Sequence, residues 1–365
     1  MIISVGQKQL KNGLKAVRKV LGMNKESKSL FSNAIKLEAK EDSLSLLGTN
    51  GETIYFWKTK DTVVVNADGV VGIVADKFIT AVEALSGEAP IELNYNAGIV
   101  YMKCGNREAE LKTVEADEFP EFTPVENLVK FPFDTTKMFS KISHTVGRDI
   151  SKPRLLGLLS EFISEGDQKK VVFSAVNPNK ASRLIEKFES SDSLSMKIIL
   201  PVFIVDESLE FPLKGLATTK SRLIADFGDL KIMTPMPEDR FVNPENAFAT
   251  PKDSKIVGFN RKQLIDALKY TRAMADKHDL KSKFIVNGDV TEITSYTENS
   301  KSKDSLKSRS NEKMTFSLNC EYLIELLSCL NKEDVEFHVV GKGTSGQITY
   351  RTDNYQYVTS MYSQG

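Results

Sequence analysis

Cysteine is scarce in this 365-residue sequence. Cys104, Cys320 and Cys329 are odd in number and free of any CxxC pairing, which argues against a disulfide scaffold and points to a reducing cytoplasm. Histidine is as sparse: His144, His278 and His338 share no HxH or HxxxH spacing, so no metal centre is expected. No apolar run reaches the ~18 residues of a membrane-spanning helix. Residues 7–19 are polar and basic where a secretory leader would be apolar. Nucleophile-elbow and kinase signatures are missing. The one phosphate-loop lookalike, Gly22-Met23-Asn24-Lys25-Glu26-Ser27-Lys28-Ser29, has Ser27 where a second glycine is required, and it follows a helix instead of a strand. Gly341-Lys342-Gly343-Thr344-Ser345-Gly346 lies between two strands and reads as a hairpin turn. A cofactor-dependent or metal-dependent enzyme is therefore not expected.

Net charge is missing too: 49 Lys and Arg balance 49 Asp and Glu. The distribution is uneven. Residues 7–19 carry Lys8, Lys11, Lys15, Arg18 and Lys19 and no acid, a charge of +5. Residues 135–148 carry Lys137, Lys141 and Arg148, a charge of +3, which leaves the remainder at −8. A basic minority surface on an acidic body suits a polyanion that meets one face only.

What the chain does have is an internal repeat, offset by roughly 120 to 127 residues. Each copy opens with a short strand leading into an amphipathic helix: Ile2–Val5 into Gln7–Gly22, Val129–Phe133 into Thr135–Gly147, Lys255–Phe259 into Asn260–Lys277. A second strand-to-helix step follows over 70–85, 196–211 and 314–330, and each copy closes with a hairpin over 99–114, 223–234 and 347–360. In the first helix Leu10, Leu14, Val17 and Leu21 form one face of a 3.6-residue period. Basic residues lie off the apolar face in all three opening helices; Lys262, Lys269 and Arg272 do so in the third, beside Asp266 and Asp276. His144 lies off the apolar face of the second.

Period-two alternation at Ala34–Ala39, and strands read at Lys170–Ala175 and Lys283–Val286, give an α+β fold of antiparallel sheet with two helices per copy. Two proline-punctuated linkers, 119–124 and 242–251, divide it into domains 1–124, 125–249 and 250–365. Residues 298–313, polar and low in complexity, read as a mobile hairpin loop. Three basic helix faces without a base-reading set favour sequence-independent binding of double-stranded DNA through phosphates.

The order and spacing of several motifs resemble the bacterial DNA polymerase III β-subunit family, the DNA sliding clamps. These are Leu44-Ser45-Leu46-Leu47-Gly48-Thr49-Asn50, Ala75-Asp76-Lys77-Phe78-Ile79, Glu115-Ala116-Asp117-Glu118-Phe119-Pro120, Leu155-Leu156-Gly157-Leu158-Leu159 and Ser317-Leu318-Asn319-Cys320-Glu321-Tyr322-Leu323. The resemblance runs over the whole chain. It implies a ring-forming homodimer with sheets outside and helices inside, non-catalytic, cytoplasmic and nucleoid-associated. Such a ring encircles duplex DNA and tethers the polymerase III catalytic subunit, the clamp loader and other proteins with clamp-binding motifs. The alternative reading is a DNA-binding protein that never closes into a ring.

Under the resemblance Lys77, Lys152 and Arg154 join the basic residues above as DNA-facing. Leu155, Leu184, Val242, Asn319, Tyr322, Val358, Thr359 and Met361 would line a cleft for partner peptides. Ala109 and Leu111 would face Ala273 and Met274 across the dimer interface. The sequence departs from the family at the cleft, in the loop Asn177–Leu184 and in the tail Met361–Gly365.

Overall fold

The computed structural model describes residues 1–21, 30–125, 128–165, 168–189, 195–238, 240–248, 253–275, 280–341, 343 and 346–362. Copy one runs β1 (Ile2–Val5), α1 (Gln7–Leu21), β2 (Ala34–Lys40), β3 (Ser43–Thr49), β4 (Ile54–Thr59), β5 (Val63–Ala67), β6 (Gly69–Val74), α2 (Ala75–Glu83), β7 (Ile91–Asn96), β8 (Ile99–Cys104) and β9 (Arg107–Val114). Copy two runs β10 (Val129–Lys130), α3 (Thr135–Ile142), β11 (Leu158–Glu165), β12 (Gln168–Asn177), β13 (Lys180–Glu189), β14 (Met196–Leu200), α4 (Val202–Glu210), β15 (Gly215–Thr218), β16 (Arg222–Asp226) and β17 (Leu230–Pro235). The one-turn α5 (Glu245–Phe248) precedes copy three. That copy runs β18 (Lys255–Asn260), α6 (Arg261–Arg272), β19 (Lys281–Asn287), β20 (Val290–Tyr296), β21 (Lys301–Arg309), β22 (Lys313–Asn319), α7 (Cys320–Cys329), β23 (Asp334–Val340), β24 (Gln347–Arg351) and β25 (Tyr355–Ser360). The order strand, helix, four strands, helix, three strands recurs three times, with the fourth strand of copy one broken into β4 and β5.

Contacts divide the chain into two compact units: Met1–Pro132 with Phe211–Met236, and Phe133–Glu210 with Pro237–Gly365. Copy two is thus shared between them. Each unit holds one antiparallel sheet, of 13 and 12 strands. Within the first, β4 pairs with β17, Ile54 opposite Met233 and Phe56 opposite Lys231. Within the second, β13 pairs with β25, Ala181 opposite Val358 and Arg183 opposite Gln356. One rule makes both seams: the fourth strand of one copy joins the last strand of the next.

Local chemistry explains the helices. Asp134 caps α3 by accepting from the Thr136 and Lys137 amides at 3.1 and 3.3 Å. Asn260 caps α6 and Asn319 caps α7 in the same way. In α1 the buried face includes Gly13 and Ala16 beside Leu10, Leu14, Val17 and Val20, so the helix lies close on β3 and β4. Gly48 of β3 sits directly beneath it.

Two expectations need correction. Residues 301–309 are strand β21, paired with β20 from Lys301 to Lys307, not a mobile loop. Its inward positions are Ser302, Leu306 and Ser308, and the serines bond locally, Ser302 Oγ to the Thr271 carbonyl. A strand that buries serines shows no apolar alternation. The second-copy helix stops at Ile142 and gives way to a 3₁₀ turn over Ser143–Thr145. That turn carries the His144 ring nitrogens inward, where they are buried. Within the linker at 119–124, Phe119 is buried, and Phe122 stacks on Phe56 at 4.7 Å and 6° over the β4–β17 seam. The phosphate-loop lookalike, His278 and part of the 341–346 turn lie outside the described residues.

A Cβ added at Gly48 would stand 2.7 Å from the Val17 carbonyl oxygen and 3.2 Å from Val20 Cγ1. Because a backbone atom cannot move aside alone, Gly48→Ala is expected to cost about 1–3 kcal/mol. Urea denaturation should show a lower midpoint with an unchanged m-value.

Candidate nucleic-acid interface and partner seat

The two helices of each copy touch: α1 with α2, α3 with α4, α6 with α7. Their charges are opposed. The opening helices carry the lysines and arginines; the second helices carry acids, Asp76 and Glu83 in α2, Asp206, Glu207 and Glu210 in α4, Glu321 and Glu325 in α7. One arginine near the end of each opening helix reaches across. Arg18 pairs with Glu83, and Arg272 with Glu321. Arg148, just beyond α3, grips Asp206 with two hydrogen bonds of 2.9 and 2.7 Å. Hydrogen bonding to the carboxylate raises the pKa of Arg148 and of Arg272 above the usual arginine value.

These three arginines are therefore braces between helices. Half-exposed pairs of this kind contribute about 0–1 kcal/mol each. Lysines present the remaining positive charge. Lys8, Lys15, Lys77, Lys137, Lys262 and Lys269 are exposed. Lys11 donates to the Leu85 carbonyl at 2.6 Å, and Lys19 lies over the Phe211 ring at 5.9 Å. Lys137 and Lys152 each sit beside an acid of their own turn, Asp134 and Asp149. Lys141 is half-buried, and Arg154 is exposed. The sequence reading located the cations but missed the carboxylates opposite them, whose signal was the acids spaced along the second helices.

The eight expected cleft residues all lie in the second unit, but not on one surface. Leu184 and Val358 fall on opposite faces of the β13–β25 sheet: Leu184 pairs with Tyr355, Val358 with Ala181, and the two β13 positions are an odd number apart. Leu184 and Thr359 share the face toward the helices. There Tyr355 Oη donates to the Lys141 carbonyl and Tyr357 Oη to the Tyr322 carbonyl. Val358 lies on the far face with Ala181 beneath Phe248, and Val176 and Ala247 pack alongside. Met361 is buried; Leu155 and Val242 are half-buried, and the Val242 amide donates to the Arg154 carbonyl. Asn319 caps α7 and also reaches Tyr362 Oη at 3.4 Å. Tyr322 is half-buried with Asn179 Nδ2 donating to its hydroxyl and Lys180 Nζ 4.7 Å from its ring centre. Lys180, buried, forms an ion pair with Glu325.

Sequence reasoning missed Arg183, Glu245 and Phe248. Arg183 pairs with Glu245 and stacks over the Phe248 ring at 4.5 Å. The available signal was the basic loop sequence Lys180-Ala181-Ser182-Arg183 opposite an Asn-Pro-Glu turn. Of the expected dimer residues, Ala109 is half-buried on β9, Leu111 is buried, and Ala273 and Met274 are exposed beyond α6. Among the described residues no cluster of metal-ligating side chains occurs, and no helix is long and apolar enough to cross a membrane.

His144 stands at the centre of the helix-side face. Its ring lies 5.7 Å from that of Tyr357, and neither ring nitrogen has a partner among the described residues. Burial, and secondarily the charge of Lys180, lowers its pKa from 6.5 to about 3. The unfolded chain then takes up this proton first on acidification, so stability is full above pH 6.5 and is lost as pH falls toward 3. The expected slope is about 1.4 kcal/mol per pH unit in that window. His144→Phe should flatten it, as read from urea denaturation at pH 7, 6, 5 and 4.

Residues 1–123 match the family described as DNA polymerase III beta subunit, N-terminal domain. The whole fold matches solved sliding clamps of low identity. The DNA polymerase III subunit beta of Pseudomonas aeruginosa is 17% identical, with a TM-score of 0.83 and 100% of both chains covered. The DNA polymerase sliding clamp of Bacillus subtilis is 15% identical at a TM-score of 0.87, again over 100% of both chains. That of Caulobacter crescentus is 14% identical at 0.84 over 99% of each. Comparison with curated protein sequences returns no match. The three-copy architecture is therefore the fold of these clamps.

Proposed function

We propose that this chain is a DNA sliding clamp of the polymerase III β-subunit family, a non-catalytic ring of two copies that encircles duplex DNA and tethers the polymerase and its accessory proteins. The match of the first 123 residues and the shared fold support this reading. So does the helix pair in each of the three repeats, which we read as domains 1–124, 125–249 and 250–365.

One observation carries it. The seam rule joins the fourth strand of copy one to the last of copy two, and the fourth of copy two to the last of copy three. The fourth strand of copy three, β21, has β20 on one side along Lys301–Lys307 and meets β18 only at Ser308 and Arg309. The last strand of copy one, β9, has β8 on one side along Arg107–Lys112 and meets β6 only at Thr113 and Val114. Among the described residues the other side of each carries no strand. An open strand edge is a template for another chain. β21 of one copy and β9 of a second are the pair the rule leaves over, a head-to-tail contact that two copies close into a ring. Ala109 and Leu111 sit on that edge of β9.

The edges can pair charge across the contact: β9 carries Glu108 and Glu110 beside Arg107 and Lys112, and β21 carries Lys301, Lys303, Lys307 and Arg309 beside Asp304. Replacing Glu108 and Glu110 with Lys is expected to weaken dimerisation about tenfold or more in sedimentation, since like charges across an interface cost several kcal/mol. Replacing Lys301, Lys303 and Lys307 with Glu in the same chain should restore it.

Encirclement is tested topologically. Loaded onto nicked circular DNA by a clamp loader, the protein should survive a high-salt wash and leave only when the circle is cut. A basic-surface binder that never closes would instead wash off as counterions compete for phosphates. With Lys8, Lys15, Lys137, Lys262 and Lys269 changed to Glu, retained protein should fall severalfold while each substitution shifts stability by less than about 0.5 kcal/mol. Full retention by that variant would remove these lysines from the DNA-facing surface.

A further inference from the structure

The two seams are built on one plan and sealed by different chemistry. Phe56 and Arg183 are equivalent: each sits on the fourth strand, two residues beyond the pair Ile54–Met233 or Ala181–Val358. Phe122 and Phe248 are equivalent as well, 126 residues apart in the two linkers. At the first seam Phe122 stacks on Phe56, and Val125 and Leu128 add to the same apolar cluster. At the second, Phe248 lies on the Arg183 guanidinium, Glu245 pairs with that guanidinium, and Arg351 Nη2 donates to the Phe248 carbonyl at 3.0 Å. Among the described residues the buried apolar floor is Ala181 and Val358, with half-buried Val176 beside them.

Two polar atoms beneath α5 are unsatisfied. Gln356, between Arg183 and Arg351 on the same face, has a buried Oε1 with no hydrogen-bond partner among the described residues. Thr349, opposite Val358, has a buried Oγ1 in the same condition. A buried acceptor left unpaired is destabilising, because it has given up water without gaining a donor. The first seam is a closed apolar joint. The second is an ionic latch over an incompletely satisfied floor.

We propose that α5 is a resident pseudo-ligand, and that the far face of the β13–β25 seam takes partner peptides of the same chemistry: a carboxylate followed three residues later by an aromatic side chain, with a main-chain or side-chain amide to donate to Gln356. This deepens the clamp reading above, since it names what occupies and what enters the partner cleft. The strap holds an advantage because it is tethered. Being part of the same chain, it acts at an effective concentration of the order of millimolar, so a free peptide must displace it. The partner's gain over the strap is the extra hydrogen bond that Glu245–Phe248 does not make. Charge fixes the class: the seat presents Arg183 and Arg351 and accepts an anion beside an aromatic ring.

The test uses the full chain and a fluorescein-labelled peptide with this protein's own residues 243–248, Asn-Pro-Glu-Asn-Ala-Phe. Anisotropy should show weak binding to the natural chain. Binding should be at least about tenfold tighter to the double variant Glu245→Ala, Phe248→Ala, because apparent affinity scales with the fraction of open seats. Adding Arg183→Ala should abolish that gain. Glu245→Gln, which keeps the Phe248 ring in place, should give an intermediate gain and guards against a folding defect in the double variant. Equal affinity for all four proteins, or tight binding that survives Arg183→Ala, would overturn the proposal. Retention on circular DNA is read in parallel: a strap-released variant that is retained but gains no peptide overturns this inference alone, whereas loss of retention by the natural chain sinks the clamp reading.

Discussion

Backbone hydrogen bonding at strand edges is the constraint from which the rest of this molecule follows. Each copy contributes two groups of antiparallel strands and two helices, and a sheet built from such strands ends in exposed amide and carbonyl groups. The chain satisfies them by lending the edge of one copy to the next, β4 to β17 and β13 to β25. Continuity of sheet across copies also explains why the compact units do not coincide with the repeats. The outer strands of copy two belong with copy one, and its inner half belongs with copy three. A repeat of sequence and a unit of packing are different things when the hydrogen-bonded seam crosses the repeat boundary.

Charge follows a related division of labour. A helix pair that presents only cations would repel itself. Here each basic opening helix is set against an acid-bearing second helix and braced to it by an arginine, Arg18, Arg148 or Arg272. Arginine suits the brace because its planar fork holds a carboxylate in a fixed geometry, as the paired bonds of Arg148 to Asp206 do. Lysine suits the exposed positions because its flexible charge can follow a phosphate backbone without demanding a register. On the clamp reading proposed above, a surface built this way attracts a polyanion while holding it loosely, which is what a sliding contact requires.

Much of the fold was legible in the sequence because its signals are periodic: the three-copy plan, the apolar face of α1 and the closing hairpins all came from spacing alone. What stayed hidden has specific physical causes. Strand β21 buries Ser302 and Ser308 instead of aliphatic side chains, so its inward face looks polar in sequence. His144 reads as a surface residue until the helix ends early at Ile142 and a tighter turn rotates it inward. The candidate cleft depended on family likeness, and residue matching cannot see the parity of a strand. Leu184 and Val358 are both apolar and both near the seam, yet they face opposite ways because pairing register decides the face. Arg183, Glu245 and Phe248 are ordinary letters in three separated places until the seam brings them together.

The contrast between the two linkers bears on how one repeat can supply both a joint and a binding seat. A stack such as Phe56 on Phe122 draws its strength from area removed from water and is indifferent to salt. A latch such as Glu245 on Arg183, with the Glu245 side chain two-thirds exposed, is weakened by screening and can be matched by any carboxylate that arrives with a ring beside it. Exchanging one aromatic for one arginine at equivalent positions therefore converts a permanent seal into an exchangeable one without altering the sheet beneath. The tertiary scaffold is common to both seams. What differs is the reversibility of the contact laid over it, and that difference lies in a few side chains on the solvent side of the strand, where substitution leaves the seam's own hydrogen bonds intact.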